Sequence, residues 1–288
     1  MTLPAEAVAA AYLEACLIEL RALKPGNVHD YAAGHGMTVA DFEAAARASA
    51  EVLAQPGLGV GERIFEAVRR SRAAVDCNAN LGIVLLCAPL AEAALTAPAG
   101  APLRRGVEAV LTRLDLADAE FAFRAIRLAA PGGLGKSARH DVHRPAAVGL
   151  REAMAEAQAR DRVARQYAVG FADVFEFGLP RLRAGLARWG DAAWAAAAAY
   201  LGFLAAFPDS HVRRKHGPAP AEDLRRRAAP LDARLQAATD PTTLLPGLLA
   251  FDAALKHEGL NPGTSADLTV ASLFALGLED APAAAPRG

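Results

Sequence analysis

The chain has 288 residues, enough for a sizeable core in one large domain or about two ordinary ones. It is 53% hydrophobic, swollen by alanine, yet only 6% aromatic and poor in β-branched residues, which favours helices over strands. With 31 Lys+Arg against 32 Asp+Glu the net charge is -1, so no global field draws the protein to nucleic acid or an anionic membrane, and any anionic ligand must be held locally.

The predicted elements begin with Leu13, Cys16, Leu17, Leu20 and Leu23 at helical spacing, stopped by Lys24-Pro25-Gly26. Thr38 with Asp41 forms a cap opening a second helix through Leu53, and residues 56–61 are the next break. Further helical stretches are expected at about 62–74, 80–96, 104–129, 147–176, 180–206, 221–238, 242–257 and 265–277, several of them subdivided. Residues 192–207 are the most apolar run, mostly alanine, and fall short of the roughly 20 needed to cross a bilayer; they read as a buried core helix. No alternating strand pattern occurs, and no strand precedes a glycine loop as a Rossmann or P-loop unit requires. The expectation is an all-α fold: one helical domain over 1–280 and a flexible Ala/Pro-rich tail over 281–288.

Cys16, Cys77 and Cys87 form no CxxC pair, which argues against a disulfide framework or a Cys-rich zinc site and for a reducing compartment. Residues 1–10 lack the basic flank and apolar stretch of a secretory signal, so a cytoplasmic location without membrane attachment is expected.

Five polar, glycine-containing loops hold most of the histidines: 24–37, 75–82, 130–145, 207–218 and 258–267. In a helical bundle such loops can gather at one end and build a site from several helix termini. The densest runs from Pro131 to Arg144. Its glycines let backbone N–H groups approach a ligand, Lys136, Arg139 and Arg144 bring charge for phosphates, and His140 adds a polar ring. Asp141 could hold Mg²⁺ or act as a base; the bland alternative is a solvated loop. His140 and His143 also have zinc-like spacing, without convincing further ligands.

Asn261-Pro262-Gly263-Thr264-Ser265-Ala266-Asp267-Leu268 reads as a helix start capped by Thr264 or Ser265, with Asp267 in the first turn. A functional version uses that amino end for an anion, with Asp267 tolerated through a bridging metal. Asp209 is followed by Arg213, Arg214 and Lys215, either a solvated charge run or a phosphate clamp. Lys24, Gly26, Asn27 and His29 can likewise touch a phosphate, with Glu19 one turn earlier, although Pro25-Gly26 is also an ordinary helix stop. Asn78 and Asn80 precede an apolar stretch that either can cap, and Cys77 beside them lacks a partnered base.

The order of these elements along residues 14 to about 277 resembles the triphosphoribosyl-dephospho-coenzyme A synthase family. The strongest matches are Lys24-Pro25-Gly26 and Pro262-Gly263 with Ser265-Ala266-Asp267-Leu268. The resemblance implies an all-α enzyme that joins the triphosphoribosyl group of ATP to 3′-dephospho-coenzyme A and releases adenine. Two departures stand out. Where the family has Thr-His-Lys-Gly after an asparagine, this chain has Asn78-Ala79-Asn80-Leu81-Gly82; the Gly-x-His-x-Asp-Met region is Gly34-His35-Gly36-Met37, with the nearest acid at Asp41.

The resulting expectation assigns Asp141, Glu19 and Asp267 to catalysis. Lys24, Gly26, Asn27, His29, Asn78, Asn80, Lys136, Arg139, His140, Arg213, Lys215, Asn261, Gly263 and Ser265 are assigned to ATP and a dephospho-coenzyme A-like acceptor, and Asp141, Asp209 and Asp267 to Mg²⁺. The rival readings are a nucleotide-dependent transferase with another acceptor and a non-catalytic helical nucleotide-binding protein.

Overall fold

Helix α1 (Ala5–Arg21) ends two residues short of Leu23, the last of its apolar series, with extended backbone at Ala22 ahead of Pro25. The Thr38 signal holds: α2 (Val39–Leu53) opens on a capping box in which the Thr38 and Asp41 side chains each accept the other's backbone N–H. After the break at 56–59 come α3 (Val60–Ala74) and α4 (Leu81–Thr96).

Local signals subdivide the longer expected stretches. Residues 104–129 form α5 (Leu103–Arg113) and α6 (Leu116–Ala129), parted by a second capping box between Asp115 and Asp118. Residues 147–176 divide into α7 (Leu150–Ala157), α8 (Arg162–Val169), which starts at the Asp161 cap, and a π-helical turn at Asp173–Gly178. Gly190 at φ +64° and the Asp191 cap separate α9 (Leu179–Trp189) from α10 (Ala192–Ala206).

The 207–218 segment, expected as a loop, contains the two-turn helix α11 (Ser210–His216), nucleated by the Asp209 carboxylate on the N–H groups of His211 and Val212. Then come α12 (Pro218–Ala237), a 3₁₀ turn at Pro241–Leu244, α13 (Leu245–His257) and α14 (Gly263–Asp280).

The structure, a computed structural model, describes residues 2–34, 36–98 and 100–281; the expected tail beyond Ala281 and the loop residue His35 lie outside them. Among the described residues the fold is all-α, with two isolated bridges in the 29–37 loop and no strand. Helices α4 and α14 are apolar on nearly every side and therefore buried. Helix α14 packs against α1, α4 and α10; α10 is wrapped by α9, α12 and α14. Among the described residues no single helix is long and apolar enough to cross a membrane, and the alanine-rich α10 is core. This stacking brings the start of α14, the end of α1, the start of α4 and α11 together around one cavity.

Candidate active site

The cavity is about 580 Å³, within the range of small-molecule sites. All five polar segments reach it: Asn27 and Met37, Asn78 and Ala79 with Leu81 and Gly82, residues 131–137 with 140–142, His211 with 213–215, and Asn261 with Gly263, Thr264 and Asp267. Its apolar lining comes from α4, α6, α7 and α8, including Leu85, Phe123, Met154 and Val163. The ionisable lining comes from α1, α11, the start of α14, the loop before α7 and the link between α7 and α8.

Asp267 is one of four carboxylates in the cavity lining, with Glu19, Asp141 and Asp161. It is half-buried, lines the cavity and has no hydrogen-bond partner among the described residues. Burial, then the negative charges of Asp209 and Glu19, push its pKa well above the ordinary aspartate value. Gly82 in the first turn of α4 makes room for it, since a Cβ there would stand 2.0 Å from Asp267 Oδ2. Gly82→Ala should therefore displace the carboxylate and reduce turnover by about 100-fold, the scale of a misplacement near 1 Å. Steady-state rates set beside melting curves check this: a folded variant at wild-type rate contradicts a placed Asp267.

Glu19, 3% exposed, faces the cavity from α1 and is ion-paired with the fully buried Lys24. Burial raises the Glu19 pKa and lowers that of Lys24, each partly offset by the other's charge. Lys24 Nζ also donates to Asn27 Oδ1 at 3.3 Å, and Asn27 Nδ2 donates to Asn261 Oδ1 at 2.8 Å, tying the Lys24-Pro25-Gly26 turn to the approach to α14. Lys24 thus stands behind Glu19 and does not itself line the cavity.

Gly26 and His29 also lie behind the wall. Gly26 adopts φ +84°, and a Cβ there would meet Pro262 Cδ at 2.9 Å; its N–H donates to Asp252 Oδ1 at 2.8 Å. His29 Nε2 is 3.2 Å from the same carboxylate, and Lys256 donates to its other oxygen at 3.0 Å. Burial pushes the Asp252 carboxyl up, but the hydrogen bonds from His29, Gly26 and Lys256 outweigh it and leave the pKa below the usual range. Asp252, Lys256 and Tyr200, whose hydroxyl donates to Pro25 O at 2.7 Å, were not singled out from the sequence; they read there as helix positions.

Four further expectations are corrected. The Asp209 carboxylate accepts four hydrogen bonds, from His211 N, Val212 N, Ser265 N and Ser265 Oγ at 2.8–3.1 Å, which fills its lone pairs and leaves none for a metal. Ser265 is correspondingly turned toward Asp209, away from the cavity, and α14 is capped by a residue from another segment rather than by Thr264 or Ser265. Asn80 is buried against Ser49 and Ser71, whereas Asn78 Oδ1 accepts from Leu81 N at the start of α4. The Arg139 side chain is 67% exposed and lies 3.8 Å from Glu156, outside the cavity lining.

Asp141 lines the cavity but is engaged: Oδ2 accepts from Ser137 N and Oδ1 from His143 N, both at 2.8 Å, and these bonds hold its pKa below the ordinary range. The same cavity is lined by Lys136, Arg160, Arg213, Arg214 and Lys215. Arg213 donates to Ala159 O and Arg214 to Gly132 O, each at 3.0 Å, while Lys136 and Lys215 have no hydrogen-bond or ion-pair partner among the described residues. Gly263 lets the ring of His211 approach the start of α14: a Cβ there would lie 2.4 Å from His211 Nδ1. Among the described residues no group of three or more His, Cys, Asp or Glu is arranged to hold a metal.

A family model, ATP:dephospho-CoA triphosphoribosyl transferase, matches residues 5–285. The chain belongs to this family. The transferase therefore moves the triphosphoribosyl group of ATP to dephospho-CoA, and by atom balance adenine is what remains of the nucleotide. No curated protein matches the chain. A solved structure from Archaeoglobus fulgidus, described there as a proposed triphosphoribosyl-dephospho-CoA synthase, has the same fold, with TM-score 0.61 and 24% identity over 84% of this chain and 99% of that one.

Sequence reasoning missed Arg160 and Asp161 in the transferase cavity; the charge cluster at 160–162 was a usable signal. Phe42, Phe123 and Met154 gave none, because they sit on helical faces that read as core.

Proposed function

We propose that this cavity is where the transfer takes place, with the triphosphate held by Lys215, Lys136, Arg213, Arg214 and Arg160 and the acceptor hydroxyl presented to Asp267. The observation that carries this is the unpartnered, upshifted Asp267 carboxylate in the same cavity as two unpartnered lysines. As the bond from the ribose C1 to adenine breaks, electron density leaves C1, the acceptor oxygen bonds to it, and the hydroxyl proton passes to Asp267 Oδ. A carboxylate with a raised pKa accepts that proton more readily than Asp141, whose pKa is held low. The role of Asp141 is accordingly to shape its loop.

Mg²⁺ fits as an ion brought by the nucleotide, since Mg²⁺ is commonly held by one or two carboxylates plus substrate phosphates. Asp267, with both oxygens unbonded, and Glu19, through Oε2, are the carboxylates the cavity offers, with Asp141, Asp161 and the neighbouring Asp209 already accepting from backbone N–H donors. When bound, the ion would offset the charge of the phosphates. The unpaired Cys16, Cys77 and Cys87 and the ATP requirement support a cytoplasmic location.

Lys215→Ala should weaken Mg·ATP binding about tenfold or more, the worth of one charge-assisted contact. Arg139→Ala should leave it unchanged. The check is the ligand-induced rise in melting temperature across an ATP titration. Full protection in Lys215→Ala together with lost protection in Arg139→Ala would move the phosphates to the other side of the loop.

A further inference from the structure

The transfer needs a second proton movement that Asp267 does not supply. Adenine departing with the bonding pair is a poor leaving group unless a ring nitrogen is protonated, and a positioned acid is the usual device. The cavity contains one residue with the marks of that task. His140 lines it, and its backbone stands at φ +50°, a left-handed conformation that a non-glycine residue rarely keeps unless its surroundings impose it. The imposing groups are visible: Asp141 accepts from Ser137 N on one side and His143 N on the other, Ser137 Oγ donates to Arg139 O at 2.7 Å, and Arg160 Nη2 donates to Ser137 Oγ at 3.0 Å. Four hydrogen bonds thus lock the turn that presents one imidazole. That ring's Nε2 is buried with no hydrogen-bond partner, and a buried polar atom without a partner calls for an explanation such as a ligand. The other cavity histidine, His211, packs against Gly263 at the start of α14.

We infer that His140 meets the adenine base and donates a proton to its five-membered-ring nitrogen as the C1–N bond breaks, while Asp141, Ser137 and Arg160 position it. The balance is complete: the C1–N pair goes to the purine, the His140 N–H proton neutralises it, the acceptor oxygen bonds to C1, and the hydroxyl proton goes to Asp267. Water then restores both groups to their starting protonation. This step rests on the proposed placement of the reaction in the cavity.

The test uses dephospho-CoA with two nucleotides: ATP, and an ATP analogue methylated at N7, whose base leaves neutral without taking a proton. His140→Gln keeps a donor of similar size but cannot act as an acid at neutral pH. Its rate of base release from ATP should fall by about 100-fold or more, while release from the methylated analogue is little changed and the melting temperature holds. His140→Asn repeats the comparison should glutamine disturb the turn. An equal loss on both nucleotides, or none on ATP, would overturn the inference. Asp267→Asn provides the separate arm: it should lose both nucleotides alike, so full activity there with discrimination retained in His140→Gln would refute the base assignment alone.

Discussion

Lys24→Met should destabilise the protein by about 3–5 kcal/mol at neutral pH, the cost of stranding one member of a buried ion pair. Lys24 is 0% exposed and Glu19 3%, so neither charge has water to fall back on. Methionine keeps the length of the side chain and limits the cavity left behind, so the loss reports charge rather than packing. Glu19 would respond by taking up a proton, which burial already favours. The double variant Glu19→Gln with Lys24→Met removes both charges and should recover most of the stability, because neutral replacement of a buried pair is far milder than breaking it. Urea unfolding of the wild type, Lys24→Met and the double variant measures this. A single variant within about 1 kcal/mol of wild type, the scale of an exposed pair, would show that the pair is solvated.

Asp267→Asn should behave in the opposite way, gaining stability at neutral pH while losing turnover by about 10²–10⁴-fold. Its carboxyl has a folded pKa well above the ordinary 3.8. At pH below 3.8 it is protonated in both states and costs nothing. As pH rises from there toward the folded value, the unfolded chain ionises and the native state resists, so folding stability falls. The asparagine variant has no such loss. The difference in melting temperature, variant minus wild type, should be near zero in acid and grow with pH to about 2 °C or more. A flat difference would mean that Asp267 is as well solvated as a surface aspartate. Residues kept at a cost to stability are those whose removal a functional site would not survive.

Much of the fold was legible because its stops are local. The Thr38–Asp41 box, the Lys24-Pro25-Gly26 stop and the alanine-rich α10 announce themselves within a few residues. Helix α11 was not, since only Ser210 and Val212 are buried on it and a run of cations shows no apolar period. The site was legible as a set of loops but not as a set of roles. Asp209 and Asp267 carry the same side chain near the same helix start, yet Asp209 is filled by donors at Ser265, 56 positions away in sequence, and Asp267 has none. Lys24 and Arg139 are both cations in glycine-containing loops, one sealed behind Glu19 and the other in solvent. Partners so distant in sequence leave no spacing to read, so burial and pairing had to come from the packing.

The most direct measurement of the central claim is mass spectrometry of the reaction of Mg·ATP with dephospho-CoA, following free adenine and the triphosphoribosylated product together. With wild-type protein the two should appear in equal amounts. With Asp267→Asn, folded and still protected by Mg·ATP in the melting assay, both should fall together by the same large factor. Adenine and product at wild-type rates from that variant would contradict the account and place the chemistry elsewhere.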